Sequence, residues 1–85
     1  MSAANEDLLK AIDLALADKW DAAHSVVQQY ENDPTASWIH AVLHKIEGDL
    51  ANSRYWYRRA GRMDHVADDA PVELAAIRAE LCSRS

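Results

Sequence analysis

Residues 34–62 read Pro34-Thr35-Ala36-Ser37-Trp38-Ile39-His40-Ala41-Val42-Leu43-His44-Lys45-Ile46-Glu47-Gly48-Asp49-Leu50-Ala51-Asn52-Ser53-Arg54-Tyr55-Trp56-Tyr57-Arg58-Arg59-Ala60-Gly61-Arg62. The stretch is punctuated as two helices separated by a tight turn. Asp33 precedes it as a capping residue, and Pro34 takes the first helical position, where its missing N–H has no partner to lose. Trp38, Ile39, Val42, Leu43 and Ile46 recur at three- and four-residue spacing through Glu47. Gly48 supplies the left-handed residue that ends a helix cheaply. Asp49 caps a second helix from Leu50 to about Arg62. A turn this short folds the second helix back on the first as an antiparallel hairpin.

The flanking sequence continues the helical period. Asn5 reads as the cap of a first helix carrying Leu8, Leu9, Ile12, Ala15 and Leu16. Asp18-Lys19 breaks it, and a second helix runs from Trp20 to about Tyr30. Residues 63–70 read as a loop. Pro71 opens a fifth helix to about Cys82, with Leu74, Ile77 and Leu81 as its apolar seam. The expected architecture is all-α and a single domain over 1–85. Hairpin one covers about 5–31, hairpin two about 34–62, and a capping helix about 71–82.

Composition agrees with that reading. With 49% apolar residues the chain is not disordered, and two Gly and two Pro are too few breakers for an all-β fold. At 85 residues a single core is marginal without regular packing or a partner. A net charge of −5 weighs against a general nucleic-acid binder. One cysteine, Cys82, excludes an internal disulfide and a cysteine-based zinc site. Residues 1–7 lack a basic leader segment, and no window holds 18 uninterrupted apolar residues. A cytoplasmic location with no membrane partner is the expectation.

The two hairpins repeat at an offset of 30 residues. Ala11 aligns with Ala41, Trp20 with Leu50, Ala23 with Ser53, Val27 with Tyr57, and Asp18-Lys19 with Gly48-Asp49. Over residues 7–62 this pattern resembles the tetratricopeptide (TPR) helical hairpin. The second unit matches better, through Gly48-Asp49-Leu50, Ser53, Tyr57 and Ala60. It departs at His40 and His44, where that family carries Leu and an aromatic residue. The resemblance implies superhelical packing and a role in binding other proteins. The run from His40 to Asp49, with Tyr55-Trp56-Tyr57-Arg58-Arg59-Ala60, also resembles a family of small microbial proteins, for which it implies no activity.

Three groups of residues are candidate sites. His40, His44 and Glu47 share one helix face at i, i+4 and i+7, a spacing that lets a helix present metal ligands together. His24 and His65 are the other histidines available to close such a site. The helical wheel sets His40 and His44 opposite the apolar arc. The hairpin alignment instead has them partly buried beside Tyr57 and Ser53, with perturbed titration. Arg54, Arg58 and Arg62 form a ridge flanked by Tyr55 and Arg59. Residues 34–62 hold five basic and two acidic groups, a local +3 in an acidic chain. The ridge fits an acidic protein partner, or pairs with the chain's own acids. Leu8, Ile12, Leu16, Trp38, Val42 and Ile46 would line an apolar groove, covered by the fifth helix, a partner or a second copy in a homodimer.

The expected function is therefore a protein-binding or regulatory module of TPR-like build. No cofactor is expected on that reading; the alternative is a small metal- or ligand-binding protein centred on His40, His44 and Glu47, which would take a divalent metal. Neither a nucleophile motif nor a glycine-rich phosphate loop points to an enzyme.

Overall fold

The turn after Glu47 shows how the chain is built. The structure, a computed structural model, describes residues 3–83 and contains five α-helices among them: α1 (Ala3–Leu16), α2 (Trp20–Val27), α3 (Pro34–Glu47), α4 (Leu50–Ala60) and α5 (Ala70–Ser83). Short 3-10 turns cover Gln28–Tyr30 and Met63–His65. No described residue is in a strand.

Gly48 has φ +88°, and the Gly48 N–H donates to the carbonyl of Lys45 while that of Asp49 donates to the carbonyl of His44. These are the two hydrogen bonds of a Schellman cap, which satisfy carbonyls the ending helix leaves free. Thirty residues earlier, Asp18 has φ +65°, and Asp18 and Lys19 donate to Ala15 and Leu14 in the same two bonds. Aspartate is one of the few residues other than glycine that tolerate this conformation. The repeat is therefore present in the backbone, one turn using Gly and the other Asp. Asp33 caps α3 by accepting from Thr35 and Ala36, and Asp49 caps α4 by accepting from Asn52.

Small residues let the paired helices approach. Ala11 and Ala23 in the first hairpin, and Ala41 and Ser53 in the second, are all buried. The Ser53 hydroxyl donates to the Ala41 carbonyl at 2.7 Å, so a polar residue serves at a site of close contact without an unmet bond. α1 packs with α2, and α3 with α4. α3 also meets α2, and α5 lies against α3 and α1.

α5 closes the apolar groove. Leu8, Ile12, Trp38 and Val42 are buried together with Leu74, Ile77 and Leu81. Two groove residues do not join them: Leu16 and Ile46 stand about half exposed near the ends of their helices. Leu50, expected on the core side of the fourth helix, is 61% exposed, because it sits in the first turn, before α4 comes under cover. Asn5 is not the cap of the first helix. It lies inside α1 and is buried.

A buried polar knot ties α5 to the second hairpin. Glu73 is 1% exposed. The Tyr57 hydroxyl donates to its carboxylate (2.6 and 2.7 Å to the two oxygens), Trp38 Nε1 donates at 2.7 Å, and Lys45 Nζ pairs with Oε1 at 2.8 Å. Lys45 also donates to the backbone carbonyls of His65 and Asp68, stitching the 63–69 connection to α3. An Arg78–Asp13 ion pair links α5 to α1.

Candidate functional site

His40 and His44 lie one turn apart on α3, which is covered on several sides. Both are buried, at 3% and 6% exposure. The alignment with the first hairpin, rather than the helical wheel, anticipated that. The rings they meet come from both hairpins. His24, on α2 of the other hairpin, brings Nε2 to 3.0 Å from His40 Nε2. The ring centroids of the three histidines are 4.7 to 5.4 Å apart. One nitrogen from each ring falls within 4.8 Å of the others.

Tryptophans hold these rings in place. Trp20 stacks on His24 at 4.6 Å and 17°, and Trp56 stacks on His40 at 3.9 Å and 12°. Trp20 is anchored in turn by Nε1, which donates to the Leu43 carbonyl at 2.6 Å. α2, α3 and α4 thus all contribute to one cluster at the junction of the two hairpins.

Glu47 stands behind His44, not in the centre. Its Oε2 is 2.5 Å from His44 Nδ1. A carboxylate there holds the proton on Nδ1 and leaves the Nε2 lone pair available, an arrangement that supports imidazole ligands from the outer shell. His65 lies elsewhere, beside Trp38 and with Nδ1 at 2.7 Å from Asp68. The expected trio of His40, His44 and Glu47 is therefore rearranged: His24 completes the group of imidazoles and Glu47 backs one of them.

Burial, then the neighbouring His24, His44 and Arg59, lowers the pKa of His40 to about 3. The pKa of His24 is also lowered, by burial and then by His44. Neutral imidazole is the form that donates a lone pair to a metal. The same shift has a consequence for stability. A histidine whose folded pKa lies below its unfolded value near 6.5 stabilises the fold above that value, and the contribution is lost as pH falls toward 3. Acidification from pH 7 to 5, above the range where most carboxylates titrate, should lower the melting temperature, and His40→Leu should flatten that slope. Equal slopes in the two proteins would disprove the assignment.

The arginine ridge is divided. Arg62 pairs with Glu80 at 2.7 Å and lies over Trp38. Arg59 reaches the Tyr55 hydroxyl and the Glu31 carbonyl, and covers the Trp56 ring at 5.1 Å. Arg54 and Arg58 are exposed and pair with no acid among the described residues. Of the chain's own acids among the described residues, Glu80 is the one that pairs with the ridge, through Arg62.

No described helix is long and apolar enough to cross a membrane. Comparison with protein-family models, with curated proteins and with solved structures found no match.

Proposed function

We propose that this chain is a small helical metal-binding protein that takes one transition-metal ion of the Zn(II) class on His24, His40 and His44. The convergence of three imidazole nitrogens within 4.8 Å of one another carries the reading. Zinc–imidazole bonds of about 2.0–2.1 Å in tetrahedral geometry set nitrogens about 3.3 Å apart, so the 3.0 Å between His24 and His40 needs little adjustment. Glu47 on Nδ1 of His44 is the outer-shell support such a ligand uses. Imidazole donors without thiolates suit Zn, Cu, Ni and Fe rather than Mg or Ca.

Equilibrium dialysis of untagged protein against Zn(II) is the test. One ion per chain is expected, with binding lost in His24→Ala, His40→Ala and His44→Ala, and weakened about 10–100-fold in Glu47→Gln. Absence of stoichiometric binding would leave the histidines as a packed aromatic cluster and remove the proposal.

The outer face of α4 favours a second reading, the TPR-like protein-binding module. Arg54 and Arg58 are exposed beside Tyr55 in the one basic segment of an acidic chain. An acidic peptide should shift amide resonances of residues 54–59, and Arg54→Glu with Arg58→Glu should abolish the shifts. Uniform or absent shifts would discard this reading.

A further inference from the structure

Resting on the metal reading above, we infer that the three-histidine centre keeps a fourth coordination position for a small exogenous anion, occupied by water or hydroxide when no other is supplied. The ligand inventory comes first. Among the described residues, the only group of metal-ligating side chains sharing members with the trio is His44, Glu47 and Asp49. It meets the trio through His44 alone, and Glu47 sits on that ring's Nδ1. Nδ1 and Nε2 point to opposite sides of an imidazole, so a carboxylate holding the first faces away from an ion on the second. Asp49 is engaged in capping α4. Three protein ligands with no fourth is the donor set that leaves tetrahedral zinc open.

Charge gives the class of ligand. Three neutral imidazoles leave the full +2 on an ion in a largely buried site, a costly arrangement that an anion relieves. Arg59, whose charge bears on His40, adds to the positive field. Among the described residues no carboxylate joins the trio to offset it.

Access gives the size. His40 and His44 are closed off, and Trp56 and Trp20 cover the faces of His40 and His24. Half-buried His24 is the way in, and the exposed carboxylates of Asp21 and Glu47 both act on it electrostatically. They repel bulky polyanions. A monatomic or triatomic anion meets less of that repulsion than a polyanion does.

Cobalt(II)-loaded protein titrated with azide separates the possibilities. Dialysis first establishes whether one Co(II) binds per chain; if none binds, the metal reading itself fails, and this inference with it. With cobalt bound, a saturable shift of its visible bands at one azide per ion is expected. Bands indifferent to azide would overturn the open position while leaving the metal site standing. Two chains per cobalt in light scattering would overturn it as well, since a second copy would then supply the fourth ligand. At a Co(II) concentration raised to saturate its weakened site, Glu47→Gln should still show the azide shift. A response gained only in that variant would make Glu47 the fourth ligand and refute the inference.

Discussion

Glu73→Ala should reduce folding stability by about 3–5 kcal/mol, the range for removing one partner of a buried ion pair. Glu73 has no solvent to fall back on, and all its bonds run to other elements: Trp38 and Lys45 on α3, Tyr57 on α4. Removing it leaves an indole N–H and a hydroxyl in the core without their acceptor, and takes from the Lys45 ammonium its carboxylate partner, leaving it the His65 and Asp68 carbonyls. Burial and the Glu73 carboxylate both raise the pKa of Tyr57, which keeps its hydroxyl protonated and donating. In a chain of this size, each kcal/mol moves the melting temperature by about 4–8 °C, so a fall of about 12–40 °C is expected. Tyr57→Phe should cost about 1–3 kcal/mol, because it leaves the ring in the core and removes only the hydroxyl. The two substitutions share one bond and should be less than additive. If Glu73→Ala melts within a few degrees of wild type, the knot does not hold α5 in place.

Zn(II) added to metal-free protein should raise the melting temperature by about 10–20 °C at a free concentration a hundredfold above Kd. Binding to the folded state alone is then worth about 2.7 kcal/mol. The reason lies in where the ligands come from. His24 belongs to α2 and the other two to α3, so unfolding either hairpin destroys the site. His24→Ala is the decisive variant. His24 is only half-buried, so its loss should leave the apo fold intact while abolishing the metal-induced rise. Retention of the full rise in that variant would assign the stabilisation to other groups and sink the three-histidine site.

Much of the fold was legible in particular residues. Pro34, Asp33, Gly48 and Asp49 marked helix ends correctly because capping is a local bargain between a side chain and the nearest free backbone groups. The 30-residue repeat was legible for the same reason, down to a turn in which Asp18 stands for Gly48. Misreadings came where burial depends on what lies across a helix. Leu50 continues the apolar pattern of α4 yet stays in solvent. Asn5 carries a capping side chain yet sits inside α1.

The candidate site divides in the same way. His40, His44 and Glu47 stand on one helix face by spacing alone, and the pairing of His44 with Glu47 follows from an i, i+3 separation. His24 is sixteen residues from His40, with an inter-hairpin turn between them, and no periodicity links the two. Only the nesting of α2 against α3 brings their nitrogens to 3.0 Å, with Trp20 of α2 and Trp56 of α4 closing over the rings. Helix ends and helix faces are thus set by neighbours within one turn of chain, and the amino-acid order determines them by itself. A three-histidine centre needs groups from separate helices within a few ångströms, and that convergence is decided by how the hairpins pack.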